Sequence, residues 1–103
     1  MIIKFKIFEE LENAPEVDEY VVIRVNTFDE DFDNFINNTI FTVVSVHQGD
    51  YHSVRLKCDY VPKKFDLYFF ENNEIIYLTS LIIAKSKNKE DLKYILAQNK
   101  YNL

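Results

Sequence analysis

The feature that most constrains this chain is a short alternation, Val54-Arg55-Leu56-Lys57-Cys58-Asp59-Tyr60, in which apolar and charged residues change places at every step. An extended strand sorts that pattern into two chemically uniform faces, because successive side chains leave a strand on opposite sides. Upstream, Ile40, Thr42, Val44 and Val46 interleave with Phe41, Val43 and Ser45, so both faces of that run are largely apolar. Gln48-Gly49-Asp50-Tyr51 separates the two runs and holds the only glycine of the chain. Glycine reaches positive φ without steric penalty, so its position predicts a hairpin turn.

A second hairpin is predicted beyond it. Phe65, Leu67 and Phe69 share one face of a short strand. Asn72-Asn73 then offers two residues that tolerate the left-handed conformation. The run Ile75–Ala84 is apolar on both faces. Periodicity does not separate a buried helix from an inner strand there, and its isoleucines and the adjacent turn favour the strand. Pro62 falls between the hairpins, where no ladder donor is required. These segments predict an antiparallel four-strand meander over residues 39–86.

The remaining chain supplies two strands and two helices. Met1–Phe8 alternates and reads as a strand, and Tyr20–Val25 reads as another. Thr27 stands three residues before Glu30, the spacing of a capping box. Phe28, Phe32, Phe35 and Ile36 then share one face of a helix over about residues 28–37. Asn88 is placed to cap a second helix, about residues 89–98, with Leu92, Ile95 and Leu96 as its buried stripe. The expected fold is α+β: an antiparallel sheet of five or six strands with two short helices packed on it, both covering one face. At 103 residues and 48% hydrophobic, with nine Phe and seven Tyr, the chain is expected to form one domain with one core.

No apolar run is long enough for a membrane span. The start lacks the apolar centre and small-residue cleavage site of a signal peptide. Cys58 is the only cysteine, which rules out an intramolecular disulfide and a multi-cysteine zinc site. Its place on the apolar side of the alternation predicts a small buried hydrophobe. A cytoplasmic protein without cofactor or metal is the expectation.

Charge is distributed unevenly. Residues 1–52 carry eleven acids against three bases, whereas residues 53–103 carry six acids against nine bases, for an overall −5. Ten of the acids lie in one stretch: Glu9, Glu10, Glu12, Glu16, Asp18, Glu19, Asp29, Glu30, Asp31 and Asp33. A balance of this sign disfavours direct binding to nucleic acid, which needs a positive surface. It suits a basic protein partner, such as a toxin nuclease or another nucleic-acid-processing enzyme, because opposed fields speed encounter and penalise wrong partners. The plainer alternative is a solvated face, and acids in the first turn of a helix have a sufficient local reason in the helix dipole.

Catalytic signals are sparse. His47 and His52 flank the predicted turn beside Asp50 and Arg55. Two histidines can divide acid and base roles, as RNA cleavage requires, and with Asp50 they form an incomplete metal set. A hairpin tip is a poor cleft, however, and the net charge repels a polyanion. One glycine cannot build a phosphate-binding loop. Tyr68, Phe69, Phe70 and Tyr77 can be drawn as a stacking platform, but cross-strand core pairs explain them more simply. Glu71 and Glu74 flank a turn, and Lys85, Lys87 and Lys89 form a short solvated basic run.

The function expected from these residues is that of a small acidic inhibitor covering a basic functional surface. An immunity protein against a toxin nuclease and a phage inhibitor of a host defence enzyme are the two settings that match. The ten acids from Glu9 to Asp33 would be its contact residues. The alternatives are a homodimeric assembly subunit working through a sheet edge and a small nuclease using His47 and His52.

Overall fold

A computed structural model describes residues 15–48 and 52–101. The fold is α+β: a five-stranded antiparallel sheet with short helices packed on it. The strands are β1 (Tyr20–Ile23), β2 (Phe41–Gln48), β3 (His52–Lys57), β4 (Glu74–Leu78) and β5 (Ile82–Ser86). The helices are α1 (Glu30–Asn37) and α2 (Lys89–Tyr101). No helix among the described residues is long and apolar enough to cross a membrane. The strand predicted at Met1–Phe8 lies outside the described residues.

The β2–β3 hairpin forms where the alternation predicts it, with Val46 opposite Val54 and Gln48 opposite His52. Val54 and Leu56 are fully buried, and Arg55 points the other way. Cys58 is buried as expected. Strand β2 carries a bulge between Val43 and Ser45 that leaves Val44 without a partner on β3. The extra residue lets Val43 and Val46 face the same core across an odd spacing.

The second half of the frame departs from its predicted shape. Lys63–Tyr68 is a 3₁₀ turn following Pro62, not a strand. Phe65 and Tyr68 stand three residues apart, which a 3₁₀ turn places on one side, and both rings contact Phe32. The Asn72-Asn73 turn is present, with φ of 65° and 61° in the left-handed region that asparagine tolerates. Its flanks meet in a single bridge, Phe70 with Glu74. The run Ile75–Ala84 is two strands interrupted by a 3₁₀ turn, Thr79–Leu81.

Those two strands end on opposite edges, in the order β4-β3-β2-β1-β5. A flat sheet would hold its edges about 19 Å apart, at about 4.8 Å per gap. The four Cα steps from Leu78 to Ile82 reach at most about 14 Å. The sheet is therefore rolled, and the linking turn bridges its open side. Arg24, just past β1, donates its amide to Leu81 O at 3.0 Å, while the same turn packs on β3.

Rolling creates an inside and an outside. Val21, Ile23, Phe41, Val43, Val54, Leu56, Ile75 and Ile82 converge on the inner side from all five strands, joined by Phe32 and Ile36 of α1 and by Phe65. On the outer side Val22 and Ala84 pack against Leu92 of α2, with Ile40, Ile95 and Leu96 around them. The two helices thus cover opposite faces, not one. A bulge explains how β5 serves both clusters: Val22 pairs with Ala84 but Ile23 pairs with Ile82, so the unpaired Ile83 shifts the face.

Candidate functional site

The acids define the candidate surface, and backbone geometry decides which of them face outward. Glu9, Glu10 and Glu12 lie outside the described residues. Glu16, Asp18 and Glu19 form a tight turn leading into β1, in which the Glu19 amide donates to Glu16 O at 3.0 Å. Asp18 sits at φ 75°, a conformation that short polar side chains accept, and its amide donates to Val43 O at 2.9 Å. Glu19 is buried: its carboxylate accepts from the Glu16 amide at 2.8 Å and lies 3.6 Å from the Lys85 ammonium. Glu16 is exposed, 3.9 Å from Lys87.

The second group gathers at the start of α1. The helix begins two residues later than the sequence spacing suggests, because Asp29, not Thr27, is its N-cap and accepts from the Phe32 amide at 3.1 Å. Thr27 is recruited elsewhere. Its amide and hydroxyl donate to the two carboxylate oxygens of Asp33 at 2.7 and 2.8 Å, and Asp33 is buried. Asp29, Glu30 and Asp31 are exposed, and Asp31 stands 3.7 Å from Lys64. The acids of the two groups therefore flank opposite ends of β1, and each group is interleaved with lysine. Glu19 and Asp33 are structural: burial and complete local bonding take them out of any contact surface.

Moving the cap to Asp29 has a second effect. Phe28, predicted on the buried face of α1, falls before the helix and is fully exposed. On the 3₁₀ turn that α1 contacts through the Phe32–Tyr68 ring pair, 4.7 Å between centroids, and through Asp31–Lys64, Leu67 is 98% exposed and Tyr68 53%. The start of α1 thus presents Phe28 among three exposed acids, and the neighbouring 3₁₀ turn presents Leu67 and Tyr68. No separate signal announces this in the residues: Phe28 and Leu67 match apolar periodicities that imply burial, and Tyr68 reads as a cross-strand core aromatic.

The histidines do not converge. Residues directly opposite in an antiparallel pair share a face, and His47 is opposite Ser53 whereas His52 is opposite Gln48. The two imidazoles leave opposite faces of the hairpin, and His47 instead contacts the Ser45 hydroxyl at 3.3 Å. Asp50 lies outside the described residues, and among those described no three His, Cys, Asp or Glu side chains gather as a metal site. Arg55 pairs with Glu74 and lies over the Phe70 ring, 5.0 Å from its centroid. Phe69 and Tyr77 pack against the inner core, while Phe70 is exposed, so the four aromatics form no common platform. Burial, followed by the nearby Asp33 carboxylate, pushes the Tyr77 phenol up to about 12.

No protein family, curated protein or solved structure matches the chain.

Proposed function

We propose that this chain is a protein-binding domain that inhibits a basic partner, with the start of α1 as its contact surface. The reading rests on one observation: Phe28 stands fully exposed beside Asp29, Glu30 and Asp31 on an ordered helix start. Binding energy in protein interfaces concentrates in a few aromatic anchors, and surrounding charges set partner choice and association rate. Phe28, Leu67 and Tyr68 supply the anchors, and the three acids supply a field that favours a cationic surface. A toxin nuclease held by its immunity protein and a host defence enzyme held by a phage inhibitor both offer such a surface. Glu16 and Asp18 form a separate rim beyond β1, so the contact is narrower than the full run of acids.

The test is affinity capture from the native host with the wild type, Phe28→Ser and Asp31→Lys compared side by side. A basic protein retained by the wild type, lost in both variants and released by salt supports the reading. Retention that ignores both substitutions removes it.

A second reading has its own observation. Among the described residues β4 is an edge strand, paired with β3 and otherwise bridged only at Glu74 by Phe70, and Ile76 and Leu78 are 41% and 48% exposed. Edge strands with exposed apolar side chains pair readily with another chain, most simply a second copy. Light scattering separates the two: a dimer that Ile76→Lys converts to monomer favours the edge, and a monomer at all concentrations disfavours it.

A further inference from the structure

A groove lies beyond the C-terminal end of α1, between α2 and the segments that enter β2 and leave β3. It holds about 370 Å³ and is lined by Asn38, Thr39, Ile40, Cys58, Asp59, Tyr60, Lys89, Lys93 and Leu96. That volume falls at the low end of the range for small-molecule pockets. We infer that this groove is a binding site for a small organic carboxylate, a monoanion with a compact apolar body.

Three features carry the inference. The α2 wall presents Lys89, Lys93 and Leu96, spaced four and three residues apart, so two ammonium groups and one apolar side chain line a single stripe. The opposite side supplies Ile40 and the buried Cys58, giving an apolar floor under a cationic rim. Tyr60 adds a neutral hydroxyl that can orient a ligand, whereas the Asn38 amide and the Thr39 hydroxyl already donate to the Asn34 and Phe35 carbonyls at the end of α1. In a chain of net charge −5, a groove walled by two lysines selects its ligand by local complementarity.

The acids nearby set the ligand's charge. Lys89 Nζ lies 3.2 Å from Asp59 Oδ2, and Lys93 Nζ lies 3.1 Å from Glu90 Oε2. Both carboxylates are mostly exposed, 89% and 73%, so each ammonium can turn a further N–H toward a ligand while the acid stays solvated. The same two carboxylates repel a polyanion. One negative charge is attracted, and several are not. The body of the ligand faces Ile40, Cys58 and Leu96, which favours an aryl or short alkyl group over a sugar.

The experiment is amide NMR on the full chain titrated with phenylacetate. Saturable shifts confined to Thr39, Ile40, Asp59, Tyr60, Lys89 and Lys93, with a dissociation constant of about 1 mM or tighter, are expected. Phenylacetamide, which lacks the charge, and inorganic phosphate, which lacks the apolar body, are both expected to bind about tenfold more weakly or not at all. The Lys89→Gln/Lys93→Gln double variant is expected to lose about tenfold in affinity, with its remaining amide spectrum unchanged as proof of folding. The inference is overturned if the shifts do not saturate or centre elsewhere. It is equally overturned if either comparator matches phenylacetate, or if the folded double variant binds as the wild type does.

Discussion

Asp33 and Asp31 stand two positions apart in one acidic run, yet the structure gives them opposite work, and substitution separates them. Asp33 is buried, and its two oxygens accept from the amide and hydroxyl of Thr27 at 2.7 and 2.8 Å. Hydrogen bonds to an ionised acceptor contribute about 1.5–3 kcal/mol each. Because Thr27 is itself exposed, its donors recover water when the carboxylate is removed, which reduces the loss for the pair to about 2–3 kcal/mol. Asp31's charged partner among the described residues is the exposed Lys64 at 3.7 Å, and surface pairs of that kind contribute little. Equilibrium unfolding in urea is the assay. With a slope of about 1–2 kcal/mol/M for a small domain, Asp33→Ala should lower the midpoint by more than about 1 M, and Asp31→Ala should leave it nearly fixed. Asp33→Asn keeps one acceptor and should fall between. Equal midpoints for Asp33→Ala and Asp31→Ala would refute the assignment of a structural role to the Thr27–Asp33 pair.

Other substitutions probe the remaining links. The Tyr77 phenol is raised to about 12 from an ordinary 10, first by burial and then by Asp33; the folded state therefore favours the protonated form. That contribution is intact below pH 10 and fades as pH rises toward 12, so wild type should lose stability over this window faster than Tyr77→Phe, by about 1 kcal/mol after allowing for partial exposure, as read from melting temperature against pH. Leu92 of α2 is fully buried against the sheet, and Leu92→Ala should cost about 2–5 kcal/mol by the same urea assay. Phe28→Ser, by contrast, should leave the unfolding midpoint within about 0.5 kcal/mol of wild type, since no buried area is lost; a larger drop means Phe28 is part of the core.

How much of this was legible in the residues follows from which physical signal each segment carries. Val54, Leu56 and Cys58 are buried as their alternation with charges requires, and Leu92 with Ile95 and Leu96 marks the packed side of α2. Phe65, Leu67 and Phe69 imitate the same alternation inside a 3₁₀ turn, where the meaningful spacing is Phe65 to Tyr68, and a period of two cannot reveal that. The break within Ile75–Ala84 has no glycine or proline to announce it; only Thr79 and Ser80 interrupt the apolar run. Cap competition explains Phe28: Thr27 and Asp29 both have capping side chains, and the outcome depends on Asp33 drawing Thr27 away. The buried state of Glu19 depends on Lys85, which only strand pairing brings near.

The rolled sheet also has a consequence for how the chain reaches its native state. Strand β1 comes early in the described chain, yet one of its two neighbours, β5, is the last strand, with Tyr20 opposite Ser86. Closing so long a loop costs entropy before any contact repays it. Loss of the segment from Ile82 onward would strip β1 of one ladder and expose Val22 together. The molecule is thus a latch fastened last, cooperative along nearly its whole described length, and a nascent chain halted at Leu81 has nothing to hold it shut.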